Sequence, residues 1–534
     1  MAIRINNVQL DINEDISLLK AKAAKKLRIK EASISDLKII KESIDARKKN
    51  SIKFNYCIDI CCENEKNLVY KLKDKDIRFE EEGYKEEIQF GSKKLAHRPV
   101  VIGLGPAGLF SALLLAKNGY RPIVFERGED VDNRTKTVEK FWTTGELNTE
   151  SNVQFGEGGA GAFSDGKLTT RIKDTRCDLV LEALVKAGAP EEIIYMGKPH
   201  VGTDILKTVV KNIREEIKAL GGEIHFSSKL EKVIAKNGKV NSIIVNSNEI
   251  PCSQLILAIG HSSRDTYEML NGIGMFMEPK PFAIGVRVEH PQDLINRNQY
   301  GEYANHPRLK AAEYRLTHTA ESTKRPVYSF CMCPGGVVVG AASEENRLVV
   351  NGMSYHARDN KNANSALVVG VGPEDFEGNS PLSAMNFQRH YEELAYKVGG
   401  GNYKAPVQKI SDFMEDRITK KLDSVIPTVT PGYEFKDLRE CLPSYVVQSL
   451  KEGLDNFDRK IKGFGASGEG IMIGIETRTS APVRITRNEN LESISIGGVY
   501  PTGEGAGFAG GIVSAAVDGL KVAENIIKEY SPII

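Results

Sequence analysis

The chain has 534 residues, enough for roughly two to four domains around a large buried core. Its 72 Lys and Arg nearly cancel its 71 Asp and Glu, and the formal net charge of +1 excludes a global field that draws nucleic acid or an anionic membrane. Hydrophobic residues at 41% fit an ordinary globular protein, and 49 glycines point to many close backbone approaches.

The first residues alternate apolar and acidic side chains instead of pairing a basic head with an apolar run, so they do not read as a secretory signal. No stretch approaches the ~18 uninterrupted apolar residues that span a bilayer. Eight cysteines without a small-domain framework fit free thiols in a reducing compartment. A cytoplasmic protein is expected.

Residues 1–97 read as a small α+β domain, for which a ferredoxin-like arrangement is one solution. A strand over 3–10 precedes a helix in which Ile16, Leu19, Ala23 and Leu27 share one face, opposite Lys20, Lys22, Lys25 and Lys26. Strand-like runs follow at 36–44 and 52–61. Charge-rich sequence over 74–94, including Glu80, Glu81 and Glu82, reads as an exposed connection. The lysine face is expected to be solvated, with an acidic partner or RNA as the alternative.

Val100, Val101 and Ile102 then run straight into Gly103-x-Gly105-x-x-Gly108, with Pro106 and Ala107 inside the turn. A helix with Leu109, Leu113 and Ala116 at apolar spacing follows, then a strand over 122–125 that ends at Glu126. Strand, glycine turn, helix, strand and acid in this order define a dinucleotide site. Gly103 permits the turn, Gly105 admits the pyrophosphate, and Gly108 lets helix and strand pack closely. The helix N-terminus receives phosphate charge, and Glu126 can accept from both adenosine ribose hydroxyls.

Two more segments choose between FAD and NAD. The run 154–168 holds many glycines, among them Gly158 and Gly159 beside Ala160, with Phe155 and Phe163 embedded. Near the C-terminus a strand delivers a loop with Gly503, Glu504, Gly510, Gly511 and Ile512 to the start of another helix. N–H groups there suit the negative charge of a reduced flavin near N1, and Glu504 suits a ribityl hydroxyl. An NAD-only domain has no need of this third contact, so FAD is the cofactor read here.

On these residues, on Glu126-Arg127-Gly128, 198–204, 328–336 and 476–483, the sequence resembles the uncharacterised FAD-dependent dehydrogenases, also called NAD(FAD)-utilising dehydrogenases. The wider group is the disulfide-reductase-like and hydroxylase-like flavoproteins. The resemblance implies an α/β fold: a Rossmann-like FAD-binding domain in two parts, 98–280 and 464–534, with an inserted substrate or cap domain over 281–463. It also implies cofactor contacts at Arg127, at the Val233 backbone on a strand passing the adenine, and at Gly260 after a strand beneath the FAD.

Candidates for catalysis are fewer. Arg287 could orient an anion or form a structural ion pair. Cys331 and Cys333 could exchange electrons with flavin, or pack as small hydrophobes in a strand whose spacing points both the same way. His261 is the candidate for proton transfer. No metal site is expected, since no Cys/His pairs recur at ligand spacing. Gly463 to Gly468 follows polar sequence, so no second nicotinamide domain is read there, and NAD(P)H would visit the flavin transiently. The leading function is an FAD-dependent dehydrogenase or reductase acting on a small organic anion. The alternatives are an FAD-dependent monooxygenase, or a flavin-containing RNA- or protein-binding factor.

Overall fold

The computed structural model describes residues 2–81 and 88–533. Strands Ala2–Asp11 (β1), Ile34–Asp45 (β2), Lys53–Cys62 (β3) and Ile77–Glu80 (β4) pair antiparallel in the order β2-β3-β1-β4. Helices Leu18–Leu27 (α1) and Glu65–Leu72 (α2) complete a β-α-β-β-α-β unit. The sheet forms because every second residue of β3, from Phe54 to Ile60, is apolar and buried under the helices. In α1, Leu19, Ala23 and Leu27 are buried, whereas Ile16 precedes the helix and is 46% exposed.

The lysine face is half used within its own domain. Lys22 donates to the Gln9 carbonyl at 2.8 Å and pairs with Glu14, while Lys26 donates to the Asn6 carbonyl at 2.8 Å and to Asp76 at 3.2 Å. The charged connection starts later than its composition suggests, because Ile77–Glu80 is an edge strand held by β1. Its residues 82–87 lie outside the described residues. Beyond them the chain is strapped to the last helix: Gly91 N donates to the Ile527 carbonyl at 2.9 Å, and Lys93 pairs with Glu529 at 2.7 Å.

The small domain is docked, not merely tethered. Glu42 exchanges backbone hydrogen bonds with Tyr195 and Gly197, each 2.7 Å. The Arg308 guanidinium lies 4.2 Å over the Phe54 ring and donates to the Ile12 carbonyl at 3.0 Å.

A five-stranded parallel sheet follows, in the order Val499–Pro501, Leu255–Leu257, Val100–Ile102, Ile123–Phe125 and Glu223–His225. The inner strands are short and wholly apolar, as layers covered on both faces require. The C-terminal strand thus pairs beside Leu255–Leu257, and its following helix, Ile512–Glu529, packs on Pro106–Lys117. A Cβ at Gly519 would overlap the Ala107 carbonyl, so glycine sets that close approach.

The second large sheet has seven strands, with Phe282–Pro291 at its centre between Asn362–Val371 and Ile471–Glu476. Ile471–Glu476 is therefore an interior strand of this sheet, although it follows the division read at 463/464. Helix Ser444–Lys460 buries Val446, Leu450, Leu454 and Phe457 against this layer. Among the described residues, no helix is long and apolar enough to cross a membrane.

Candidate functional site: a cavity between the two large sheets

The Val100–Ile102 strand ends at Gly103, whose φ of +94° makes the turn into the helix that Gly105 caps. A Cβ on Gly108 would overlap the Gly103 carbonyl, which is why the third glycine of the motif admits no side chain. Gly103, Gly105, Pro106 and Ala107 line one wall of a cavity of about 390 Å³, together with Glu126, Arg127, Gly159 and Ala160. Gly108 and Gly158 stand behind this wall. Gly158 N donates to the Leu104 carbonyl at 2.9 Å.

Glu126 is buried and accepts from Leu104 N at 2.7 Å and from Gly128 N and Gly156 N, each at 2.9 Å. Three of its roughly four lone-pair positions are filled, leaving about one for a ribose hydroxyl where the sequence suggested two. Arg127 lies 4.1 Å over the Phe155 ring and is held by Glu150 at 2.7 Å and Asp265 at 3.0 Å. The cavity-facing backbone on the next strand is at Ser228, Lys229 and Leu230. Val233 is instead 1% exposed and packed in the core, three residues beyond the stretch that reaches the cavity.

At the other end, Gly260, His261, Glu504, Gly510, Gly511 and Ile512 line the cavity, and Gly503 sits just behind Thr502. Asp518 clamps this loop, accepting from Thr502 Oγ1 at 2.8 Å and Gly503 N at 2.7 Å. His261 Nδ1 meets Glu504 at 3.1 Å, while its buried Nε2 has no protein partner. A buried imidazole nitrogen without a partner calls for one. Two helix starts and a buried acid line one space, and they fit an FAD.

The opposite wall comes from the second sheet. The Pro326–Cys333 strand breaks its pairing between Phe330 and Cys333, and Cys331 adopts φ +45°. This bulge interrupts the regular strand alternation, yet the two thiols still meet. Cys331 lines the cavity, whereas Cys333 is buried and donates to the Cys331 carbonyl at 3.3 Å. The neighbouring Cys333 thiol, followed by Lys167 and Arg287, holds the Cys331 thiol below its ordinary value against the effect of burial.

Arg287 does not face the cavity. It sits fully buried in the central strand and is spent on Asn364, Asn351, the Cys331 carbonyl and Glu476, the last at 3.0 Å. Its role is to brace the wall from behind. Glu476 does line the cavity, and burial pushes it up to about 7 against the pull of Arg287.

Several residues without an assigned role in the sequence complete the site. Asp165 pairs with Lys167 at 3.1 Å and also holds Arg358; burial opposes its ionisation, but these two cations keep it well below the usual carboxylate range. Arg478 lines the cavity and shares the buried Glu392 with Arg264, at 3.0 and 2.7 Å. Arg134, fully buried, donates to the carbonyls of Asn152, Val153, Glu157 and Gly159 and so fixes the glycine-rich loop. Asp165, Lys167, Glu476 and Arg478 lay inside segments the sequence had already marked. Arg134, Glu392 and Asp518 looked like ordinary helix residues. Among the described residues, no group of three or more His, Cys, Asp or Glu side chains could hold a metal ion.

The fold and site define a mixed α/β protein with a parallel sheet and a cavity lined by its glycine turns. Residues 281–479 match the family described as "FAD-dependent protein, C-terminal domain-like", and residues 2–61 match a domain of unknown function. A Clostridium beijerinckii protein, described as an uncharacterized protein, is 66% identical over 530 residues, covering 99% of each chain, and this chain belongs to its family. Among solved structures, a geranylgeranyl bacteriochlorophyll reductase-like protein of Thermoplasma acidophilum is 13% identical, with 81% of this chain and 78% of that one covered at TM-score 0.35. L-proline dehydrogenase from P. horikoshii is 13% identical, with 81% and 93% covered at TM-score 0.34. Both likenesses are distant and carry no argument.

Proposed function

We propose that the chain is an FAD-dependent oxidoreductase of the dehydrogenase or reductase kind, acting on a small organic anion, with NAD(P)H as a visiting electron donor. One observation carries this reading. The glycine turn, Glu126 and the 503–512 loop line a single cavity whose far wall presents Cys331, Lys167 and Glu476. The parallel sheet is read as a Rossmann-like FAD domain, and the seven-stranded sheet as its substrate-side cap. Eight cysteines without a small-domain framework support a reducing, cytoplasmic compartment. Lys22 and Lys26 are tied back into their own domain, which favours a small-molecule substrate over nucleic acid.

FAD, when bound, supplies hydride exchange at its ring. Glu126 would hold the adenosine ribose, and the helix starts at Pro106 and Ile512 would face the phosphates and the electron-accepting edge. His261, oriented by Glu504, offers Nε2 for holding or passing a proton. Glu476 is poised to keep or release a proton near neutral pH. Lys167 presents a fixed positive charge beside Cys331, where a substrate anion can be oriented.

The test is spectroscopic. The purified protein should carry FAD, identified after denaturation, and anaerobic NADPH or NADH should bleach it. A bound flavin that neither donor reduces would remove the nicotinamide step and leave a dehydrogenase fed by its substrate. Failure to bind flavin even after incubation with FAD would overturn the reading.

A further inference from the structure

A second cavity of about 1450 Å³ adjoins the first and shares Lys167, Phe330 and Cys331 with it. It is larger than the roughly 300–1,000 Å³ of ordinary small-molecule pockets, as an open vestibule would be. Its charge is one-sided: Arg171, Lys198, Lys280, Arg315, Lys167 and Arg358 line it, against the single carboxylate of Glu313. Lys167 and Arg358 are served by Asp165, and Lys198 by Glu313 at 3.2 Å. Arg171, Arg315 and Lys280 have no carboxylate within ion-pair distance among the described residues. Lys280 is held below its ordinary value by burial and then by Arg484, against the weaker pull of Glu504.

Arg171 and Arg315 are exposed and Lys280 is half-buried, so their charges face the open vestibule and draw an anion to it. The whole chain carries a net charge of only +1, so this concentration is local and does not follow from composition. Arginine forks match carboxylate and phosphate oxygens in pairs, and several cations spread around a wide cavity exceed what one small anion can reach.

We propose that the outer cavity binds a substrate bearing two or more anionic groups, its charged end on Arg171, Arg315 and Lys280 and its reacting end at the Lys167–Cys331 junction. This rests on the oxidoreductase reading for the word substrate, but the binding site stands on its own charges. Phosphate and carboxylate share the required chemistry, so both are tested.

The experiment is calorimetric titration of FAD-loaded protein, its glycine turn occupied, with inorganic pyrophosphate, citrate, methyl phosphate and acetate. Pyrophosphate or citrate should bind, and whichever binds more tightly identifies the source. The single-anion probes should bind at least roughly tenfold more weakly, the scale of one charge-assisted hydrogen bond. Binding should weaken with added NaCl. Arg171→Gln combined with Arg315→Gln should cut affinity by about a hundredfold, two such bonds, with FAD content and melting temperature unchanged. Those two readouts separate loss of a ligand contact from loss of fold. Equal binding of acetate and citrate, unchanged affinity in the double variant, or no binding by either polyanion would each overturn the proposal. If the protein takes up no FAD, the oxidoreductase reading fails, yet loss of pyrophosphate binding in the double variant would still locate an anion site here.

Discussion

The two walls of the inner cavity are built on opposite principles. The cofactor-side wall is mostly backbone: Gly103 turns, Gly108 yields to a carbonyl, and the helix starts at Pro106 and Ile512 line the cavity. The far wall is mostly side chain: Arg287 braces Glu476 and the Cys331 carbonyl, and Glu392 joins Arg264 to Arg478. Backbone walls impose residue types at fixed local spacing. Side-chain walls impose only that partners meet after folding, from positions as distant as Arg264 and Arg478. The contrast has one weak point, because the glycine-rich loop of the first wall also hangs on a side chain, that of Arg134.

Arg134→Ala is therefore expected to have the largest effect. It removes the donors to three buried carbonyls and the half-buried one of Gly159, each buried one costing on the order of 1–3 kcal/mol when left unpaired, and the sum should reach about 5 kcal/mol. Urea unfolding with FAD stoichiometry measures both consequences, and both should fall together. A variant that keeps its stability and its flavin would show that the glycine loop holds its own shape, and the contrast between the walls would become complete.

Glu392→Gln comes next, at about 3 kcal/mol, because Arg264 and Arg478 would lose the carboxylate that lies between them in the core. Burial opposes its ionisation, yet the two arginines hold Glu392 well below the ordinary range. Its stabilisation is thus present above the unfolded value of about 4.3 and is lost as pH falls towards the folded one. The variant should show a shallower loss of stability between about pH 5 and pH 3. An unchanged acid limb would mean that the network is neutralised elsewhere.

Legibility in the sequence follows the same division. The dinucleotide turn was readable because Gly103, Gly105, Gly108 and Glu126 each answer a local geometric demand within one strand-turn-helix-strand unit. The small domain was readable in outline from the alternation in 53–62, although β4 was hidden by its charges. On that strand Leu230 lines the cavity and Val233 does not, since periodicity shows that a strand exists but not where it crosses a ligand. For Arg287 the sequence left an anion-orienting role and a structural ion pair both open; only the fold shows Glu476, Asn351 and Asn364 consuming its donors. The break in strand pairing between Phe330 and Cys333 was hidden for a subtler reason. A bulge inserts no sequence signature of its own, and here it falls between the two thiols.

Glu476→Gln gives the smallest expected effect and the finest test of the side-chain wall. A carboxyl at about 7 in the folded chain, against about 4.3 unfolded, binds its proton more readily when folded. Stability from this group therefore falls as pH rises between those two values and is flat above them. Glutamine cannot ionise, so the variant should lose that slope, narrowing the stability difference between about pH 5 and pH 8 by about 2.5 kcal/mol. Removing the anion also leaves Arg287 with its amide and carbonyl acceptors alone, which offsets part of the gain at high pH. In turnover, a group that holds or releases a proton beside the substrate would contribute an inflection near neutral pH, absent from the variant. A retained inflection with a lost stability slope would assign Glu476 to the architecture of the wall and leave the proton to His261. Loss of both would place the titrating group on the side-chain wall, where charge networks set the chemistry that the backbone wall cannot.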